Sequence, residues 1–416
     1  MKIRTTANEI YAITLSILVL LSCYRIAVGG SLWTITLLVS IGMLFVEILG
    51  KKYVPSKVAL LLCIFFMIGF ASTVLNHGIS ISFIRMYLTP LTYVLWCDMY
   101  AKEHMKIFLT SHVIVISILC VVQLYFQIID PDIFGVSNSN NMMNLFVSDN
   151  FMGYYLVPFL VLVFISSCSL KGEISAFPWI MTAICVYSIV ISGAGACTLG
   201  ICFFAAMMII LLMLKKKIKL NIYFVYAIYI AFFLGIVVFS VQNFFADFLM
   251  NTIGKNTSLT GRIYIWAEIP SYFMKKPWLG YGIDTDGTAD VIFVKSGGYN
   301  VSGKSWHAHN YFFEILICGG LLQMIPYICV LWEISRSIIK CKNRMISNII
   351  VLGILSMFIM YISEGFLLQP AQYLIYILAY YSPKFSEASS VACVTKRRKL
   401  LRVRFKVRHR LYNTRI

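Results

Sequence analysis

Long apolar stretches recur along the whole chain, and short polar connections separate them. Most stretches approach the roughly 20 residues that an α-helix needs to cross a bilayer. The pattern predicts an all-α polytopic membrane protein with about twelve transmembrane helices. The predicted spans are Ile10–Ala27, Leu32–Leu49, Val58–Leu75, Ile81–Met99, Phe108–Ile129, Phe151–Ile165, Phe177–Gly193, Leu199–Leu214, Ile222–Val241, Tyr311–Ile334, Ile346–Ile362 and Leu367–Tyr381.

Composition excludes a water-soluble fold. The 416 residues are 60% hydrophobic and only 12% charged, whereas soluble domains carry roughly 25% charged residues. Because apolar stretches extend almost from end to end, we predict a single membrane domain over residues 1–383, followed by a basic tail over residues 384–416.

The basic residues predict the orientation of this domain. Most of the 35 Lys and Arg residues fall in alternate connections, beginning with Lys2 and Arg4. Since basic loops stay in the cytoplasm, both termini are expected there and residues 242–310 outside. The net charge of +18 therefore indicates orientation rather than nucleic-acid binding. The tail is expected to bind anionic lipid headgroups, and the first span is interpreted as a retained helix rather than a signal peptide.

The long outer loop contains one helical pattern. Apolar residues recur at three- and four-residue spacing from Arg262 to Lys276, and Pro277 follows. We therefore predict a short amphipathic helix on the outer membrane surface, with Trp266 at the interface.

Two further segments of the loop carry candidate chemistry. Pro277–Gly282 has the composition of a tight glycine turn, and His307 and His309 lie at the start of the tenth span. Two histidines without a nearby carboxylate or cysteine form an incomplete zinc site, so we expect no metal and no cofactor. The twelve cysteines form no CxxC pair, so neither a zinc site nor a disulfide framework is predicted. We favour the interpretation that a histidine of this segment donates a hydrogen bond or transfers a proton in a substrate cleft.

Charged residues inside the spans are candidates for function because burying an ionised group in a bilayer is costly. Arg85 lies near the outer end of the fourth span and could bind an anionic substrate there. Arg25, near the outer end of the first span, either extends to lipid headgroups or joins the same site. Glu364 and Glu314 are acidic groups at a similar level, and Glu314 is interpreted as a packing or hydrogen-bonding residue.

The order of these motifs resembles the O-antigen ligase and polymerase superfamily, often called Wzy-type. The resemblance is carried by Thr260-Gly261-Arg262 before a Trp-containing helix, the Pro-x-x-Gly-x-Gly turn, and His309-Asn310 followed by Gly320. Two positions depart from the family pattern: Gln323 replaces a second glycine, and residues 192–195 lack a Ser-Arg pair.

The resemblance implies a bacterial cytoplasmic-membrane glycosyltransferase that acts on polyprenyl-pyrophosphate-linked saccharides, with a flippase and a chain-length regulator as partners. It implies catalytic roles for Arg262 and His309 and substrate binding by Asn310. Arg85, Arg25 and His307 are further candidates for substrate binding. Gly261, Trp266, Gly280, Gly282 and Gly320 are the structural positions of the motifs.

Polymerisation of repeat units for a capsule, exopolysaccharide or O-antigen is the function that we expect. Transfer of a finished polymer to a glycolipid or protein acceptor remains an alternative within the same enzyme class. A lipid-linked oligosaccharide flippase is an alternative from another class. The large outer loop and the scarcity of charges in the middle of the spans favour an enzyme over a transporter.

Overall fold

A computed structural model describes residues 7–23, 30–129, 143–214, 218–235, 262–283 and 308–395. Its elements are α-helices, except for a 3₁₀ turn at Pro370–Tyr373 and two antiparallel two-residue strands, β1 (Met143–Asn144) and β2 (Val147–Ser148). The predicted all-α class is therefore confirmed.

The helices follow the predicted spans closely. In chain order they are α1 (Ala7–Cys23), α2 (Gly30–Lys51), α3 (Lys57–His77), α4 (Ile81–Glu103), α5 (Met105–Ile129), α6 (Asp149–Lys171), α7 (Ala176–Ser192), α8 (Gly195–Met213), α9 (Ile222–Phe233), α10 (Arg262–Lys275), α11 (Tyr311–Lys340), α12 (Arg344–Tyr361), α13 (Leu374–Tyr380) and α14 (382–395).

Seven of the described helices are long and apolar enough to cross a bilayer, namely α2, α3, α5, α6, α8, α11 and α12. The chain is therefore a multi-pass membrane protein, while the count of twelve crossings and their direction stay predictions. Three shorter apolar helices, α1, α7 and α9, coincide with predicted spans. The last predicted span, Leu367–Tyr381, is divided between the 3₁₀ turn and α13.

The centre of the bundle is formed by α6 and α12, in which nearly every residue is buried. Both pack against α8, and α3 packs extensively along α11. The start of α14 also joins the bundle: the side chain of Phe385 is fully buried, and Ser386 Oγ accepts a hydrogen bond from the backbone N–H of Asn343.

α11 is broken at Gly320, whose φ of 64° and ψ of −161° are not helical. The break leaves two carbonyls and two amides without helical partners, and groups of this kind are costly to bury in a membrane. The turn after α10 pairs with all four. Tyr281 and Gly282 donate their N–H groups to the carbonyls of Ile317 and Cys318, and Leu321 and Leu322 donate to the carbonyls of Pro277 and Trp278.

The same turn is attached to α3. Ser72 Oγ donates hydrogen bonds to the carbonyls of Leu279 and Cys318, and the backbone N–H of Ile283 donates to Thr73 Oγ1. The Pro277–Gly282 turn is thus fixed between α3 and the break in α11. Because this turn follows α10 directly, it also determines where α10 lies.

Candidate functional site

The outer-loop arginine reaches a buried carboxylate. Arg262 is the first residue of α10, and its Nη2 atom donates a hydrogen bond of 2.5 Å to Glu364 Oε1. Glu364 follows α12 and its side chain is 3% exposed, whereas 22% of the Arg262 side chain remains accessible. The guanidinium therefore has one side on the carboxylate and can offer another to a ligand.

The loop histidine lies beside the same carboxylate. His309 Nδ1 lies 3.5 Å from Glu364 Oε2, and one third of the ring is exposed. Its φ of 47° lies in the left-handed region, which is uncommon for residues other than glycine. Such conformations persist where the surroundings hold them and often occur at functional sites.

The backbone around His309 is fixed by its neighbours. Asn310 caps α11 by accepting hydrogen bonds from the backbone N–H groups of Phe312 and Phe313, and its Nδ2 donates to the carbonyl of Ile362. On the other side, the backbone N–H of Ala308 donates to Glu314 Oε2 at 2.6 Å. The hydrogen-bonding role predicted for Glu314 is therefore confirmed.

α10 confirms the predicted loop helix, but the prediction that Trp266 lies at the membrane interface is wrong. The side chain is 2% exposed, and its indole N–H donates a 2.8 Å hydrogen bond to the carbonyl of Ala308. It packs with Ile269 and Ile317 in a small apolar cluster between α10 and α11. A buried indole needs a hydrogen-bond partner, and this one ties α10 to the histidine segment.

The Glu364 carboxylate is held in its charged form. Burial by itself raises its pKa, but the adjacent His309 ring and the Arg262 guanidinium outweigh that effect, and the pKa lies below the ordinary value of 4.5. The site therefore contains a negative charge at neutral pH. The partly exposed side chains of Arg262 and His309 lie next to this charge.

The other predicted residues are distributed as follows. Arg85 contacts α2 instead of Glu364: its Nη1 donates to Thr34 Oγ1 at 3.0 Å, and its guanidinium lies 5.1 Å from the Trp33 ring centre.

Gly280 and Gly282 have positive φ, like Gly320. A Cβ at Gly280 or Gly320 would come within 2.3 Å of a backbone oxygen, so these positions require glycine. Arg25, Gly261 and His307 lie outside the described residues.

Chemically, the cluster formed by Arg262, Glu364 and His309 is suited to an anionic ligand. An arginine fork binds phosphate oxygens in a bidentate manner, and a partly exposed imidazole can orient or accept a proton. Within the described segments, no group of three His, Cys, Asp or Glu side chains has an arrangement that could hold a metal ion.

Comparison with known proteins agrees with this geometry. The O-antigen ligase family model matches residues 180–328, which include Arg262, the glycine turn and His309. This part of the chain is therefore similar to the O-antigen ligase family. A Rickettsia conorii protein that is provisionally named a polysaccharide ligase is 24% identical over 100 residues. That alignment covers 22% of this chain and 23% of the relative, so the chain matches about a quarter of the length of that protein.

Glu364 lies beyond the part that matches the O-antigen ligase family, and the sequence did not identify it as a site residue. The available signal was an acidic residue at the end of an apolar span. Its partner Arg262 is 102 residues away in the chain, and no local pattern predicts a contact over that distance.

Proposed function

We propose that this protein is a membrane glycosyltransferase that polymerises polyprenyl-pyrophosphate-linked saccharide repeat units at the outer face of the bacterial cytoplasmic membrane. The observation that carries the proposal is the meeting of Arg262 and His309 on buried Glu364. Both side chains belong to the sequence motifs described above, and the fold brings them to one carboxylate.

The reaction requires no outside source of energy because the donor is already activated. The acceptor hydroxyl oxygen forms a bond to the anomeric carbon, and the bond from that carbon to the pyrophosphate oxygen breaks. The departing lipid pyrophosphate gains negative charge, which a preorganised arginine can stabilise. Arg262 has this role in our proposal, and the partly exposed His309 ring orients the acceptor hydroxyl or accepts its proton.

In this mechanism Glu364 acts on both side chains. Its carboxylate accepts a hydrogen bond from the Arg262 guanidinium and lies beside the His309 ring. Both side chains are therefore ordered before the substrate binds. Ligand phosphate would then meet the accessible side of Arg262 without removing its buried partner.

Transfer of a finished polysaccharide to another acceptor is the second candidate. It is favoured by the names of the matches, an O-antigen ligase family and a protein provisionally named a polysaccharide ligase. Deletion of the gene followed by analysis of surface glycans separates the two. Single repeat units on the lipid carrier would support the polymerase, and full-length polymer that stays on its carrier would support the ligase. Unchanged surface and lipid-linked glycans would contradict both.

A further inference from the structure

Glu364 is carried by a connection without regular helix, residues 362–369, which we call the carboxylate loop. Residues 364–369 of this loop are buried, so their backbone carbonyls need hydrogen-bond partners within the protein. An unpaired carbonyl is costly to bury, so the partners of these groups show what holds the loop in place.

Side chains satisfy several of these carbonyls individually. Asn310 Nδ2 donates to the carbonyl of Ile362 at 3.0 Å, and Tyr373 Oη donates to that of Leu367 at 2.5 Å. Gln372 Nε2 donates to two carbonyls, those of Phe366 at 2.6 Å and Gln369 at 3.1 Å. The loop is therefore held along its length by a few fixed amides and phenols.

Gln372 is the central member of this set. Its side chain is fully buried, and its Oε1 accepts a 2.9 Å hydrogen bond from the hydroxyl of Tyr361, the last residue of α12. The amide thus connects the end of α12 with the far part of the carboxylate loop. Glu364 lies between these two attachment points.

The same framework reaches the histidine segment. The rings of Tyr311 and Tyr361 are stacked with centres 4.0 Å apart, so the first residue of α11 is packed on the last residue of α12. Gly365 lies against the backbone of Asn310, where a Cβ would come within 2.9 Å of its carbonyl carbon and oxygen. The positions of His309 and Glu364 are therefore set by one buried structure.

We infer that Asn310, Gln372 and Tyr373 are positioning residues for the transfer reaction, and that Gln372 holds the carboxylate loop so that Glu364 can fix Arg262 and His309. The inference rests on the proposed function for the reaction itself. These side chains act through Glu364 and need no contact with the substrate. Displacing a reacting group by about 1 Å can lower a rate by about 100-fold.

The test compares three purified full-length variants in nanodiscs with lipid-linked repeat units. Gln372→Met keeps the side-chain length but removes both amide functions. Tyr373→Phe removes the hydroxyl that bonds to the carbonyl of Leu367 and to Tyr311 Oη. Tyr327→Phe is the matched control: its phenol is equally buried and bonds to Tyr376, not to the carboxylate loop.

We expect Gln372→Met to lower kcat by about 10- to 100-fold with a smaller change in KM. Tyr373→Phe should have a weaker effect in the same direction, and Tyr327→Phe should retain wild-type kcat. Hydrogen–deuterium exchange over residues 362–369 should accelerate in the first two variants only.

Wild-type kcat in both Gln372→Met and Tyr373→Phe, or an equal loss in Tyr327→Phe, would overturn the inference. If Gln372→Met does not fold, Tyr373→Phe and the exchange measurement still decide the question. Absence of transfer by the wild-type protein would instead contradict the proposed function. In that case unchanged exchange over the carboxylate loop would also remove the positioning role.

Discussion

Two buried carboxylates, Asp98 and Glu364, have different kinds of partners. Asp98 accepts hydrogen bonds from Tyr53 Oη, from Ser56 N at 2.9 Å and Oγ at 2.5 Å, and from Tyr381 Oη at 3.0 Å. These donors are neutral, and the carboxylate is fully buried. Glu364 has instead the charged Arg262 guanidinium and the His309 ring, and both partners are partly exposed.

In our proposal this difference separates a structural carboxylate, Asp98, from one that takes part in the reaction, Glu364. Asp98 lies on α4, and its hydrogen bonds connect α4 with the start of α3 and with Tyr381, the residue before α14. We assign no role in the reaction to its donors. The partners of Glu364 keep accessible surface on the side away from it. We therefore take a buried charge with partly exposed polar partners, rather than burial and hydrogen bonding alone, as the feature of a candidate site.

The largest effect is expected from changes to Arg262 and His309 themselves. Arg262→Lys keeps the charge but loses the planar fork that binds two oxygens at once, so polymer made in cells should fall by at least about 100-fold. His309→Ala should have a comparable effect, and His307→Ala should be milder. Immunoblots should show normal amounts of each protein in the membrane. Full-length polymer from both Arg262→Lys and His309→Ala cells would exclude these residues from the mechanism.

Exchanging each carboxylate for its amide tests the comparison directly. Glu364→Gln removes the charge that holds Arg262, so turnover per molecule should fall about 10- to 100-fold. Asp98→Asn should leave turnover per molecule unchanged but lower the free energy of unfolding by about 1.5–3 kcal/mol, because hydrogen bonds to a charge are lost. Thermal unfolding and initial rates of the same purified samples measure both quantities. Reduced turnover in Asp98→Asn with unchanged stability would reverse the assignment.

A smaller effect is expected from Gly365→Ala. The new methyl group would meet the carbonyl of Asn310, so the histidine segment must move away from Glu364, and turnover should fall by about tenfold. Gly42→Ala is the control, because a Cβ there meets no atom within 4 Å. Equal activity of the two variants would show that the spacing between the segments is not critical.

The smallest effect concerns pH. The pKa of Glu364 is below 4.5 in the folded protein, so its pairing contributes stability above the unfolded-state pKa, and this contribution is lost as the pH falls through the folded value. In Arg262→Ala that pKa should rise, and acid destabilisation should begin at a higher pH. His309 and Tyr154 also lie near this carboxylate and remain in the variant. Thermal unfolding between about pH 3 and pH 7 would reveal the shift, and coincident curves would contradict it.

Most helix positions could be predicted from hydropathy, because the bilayer imposes a length and an apolar composition on each span. α3 and α5 begin and end within three residues of their predicted limits. Arg262 and His309 could be selected because short motifs surround them. Asn310 and Gly320 were recognised in the same way, although their hydrogen-bond partners and backbone angles were not.

Long-range contacts could not be predicted. Tryptophan is typical of the membrane interface. Trp266 is nevertheless buried, and its indole N–H donates to the carbonyl of Ala308. The break in α11 at Gly320 is stabilised by a turn about 40 residues earlier in the chain, and neither segment alone indicates that pairing. The partnership between Arg262 and Glu364 depends on the whole bundle being assembled.

The central claim is that Arg262, Glu364 and His309 form the transfer site for a lipid-linked saccharide. The most direct test is a reaction in nanodiscs that contain purified protein and a fluorescent polyprenyl-pyrophosphate-linked repeat unit, with EDTA present, followed by separation of the products by size. We expect a ladder of longer lipid-linked products from the wild-type protein and from Asp98→Asn, and far fewer longer products in the same time from Arg262→Lys and Glu364→Gln. A ladder of equal length and rate from all four proteins would contradict the central claim.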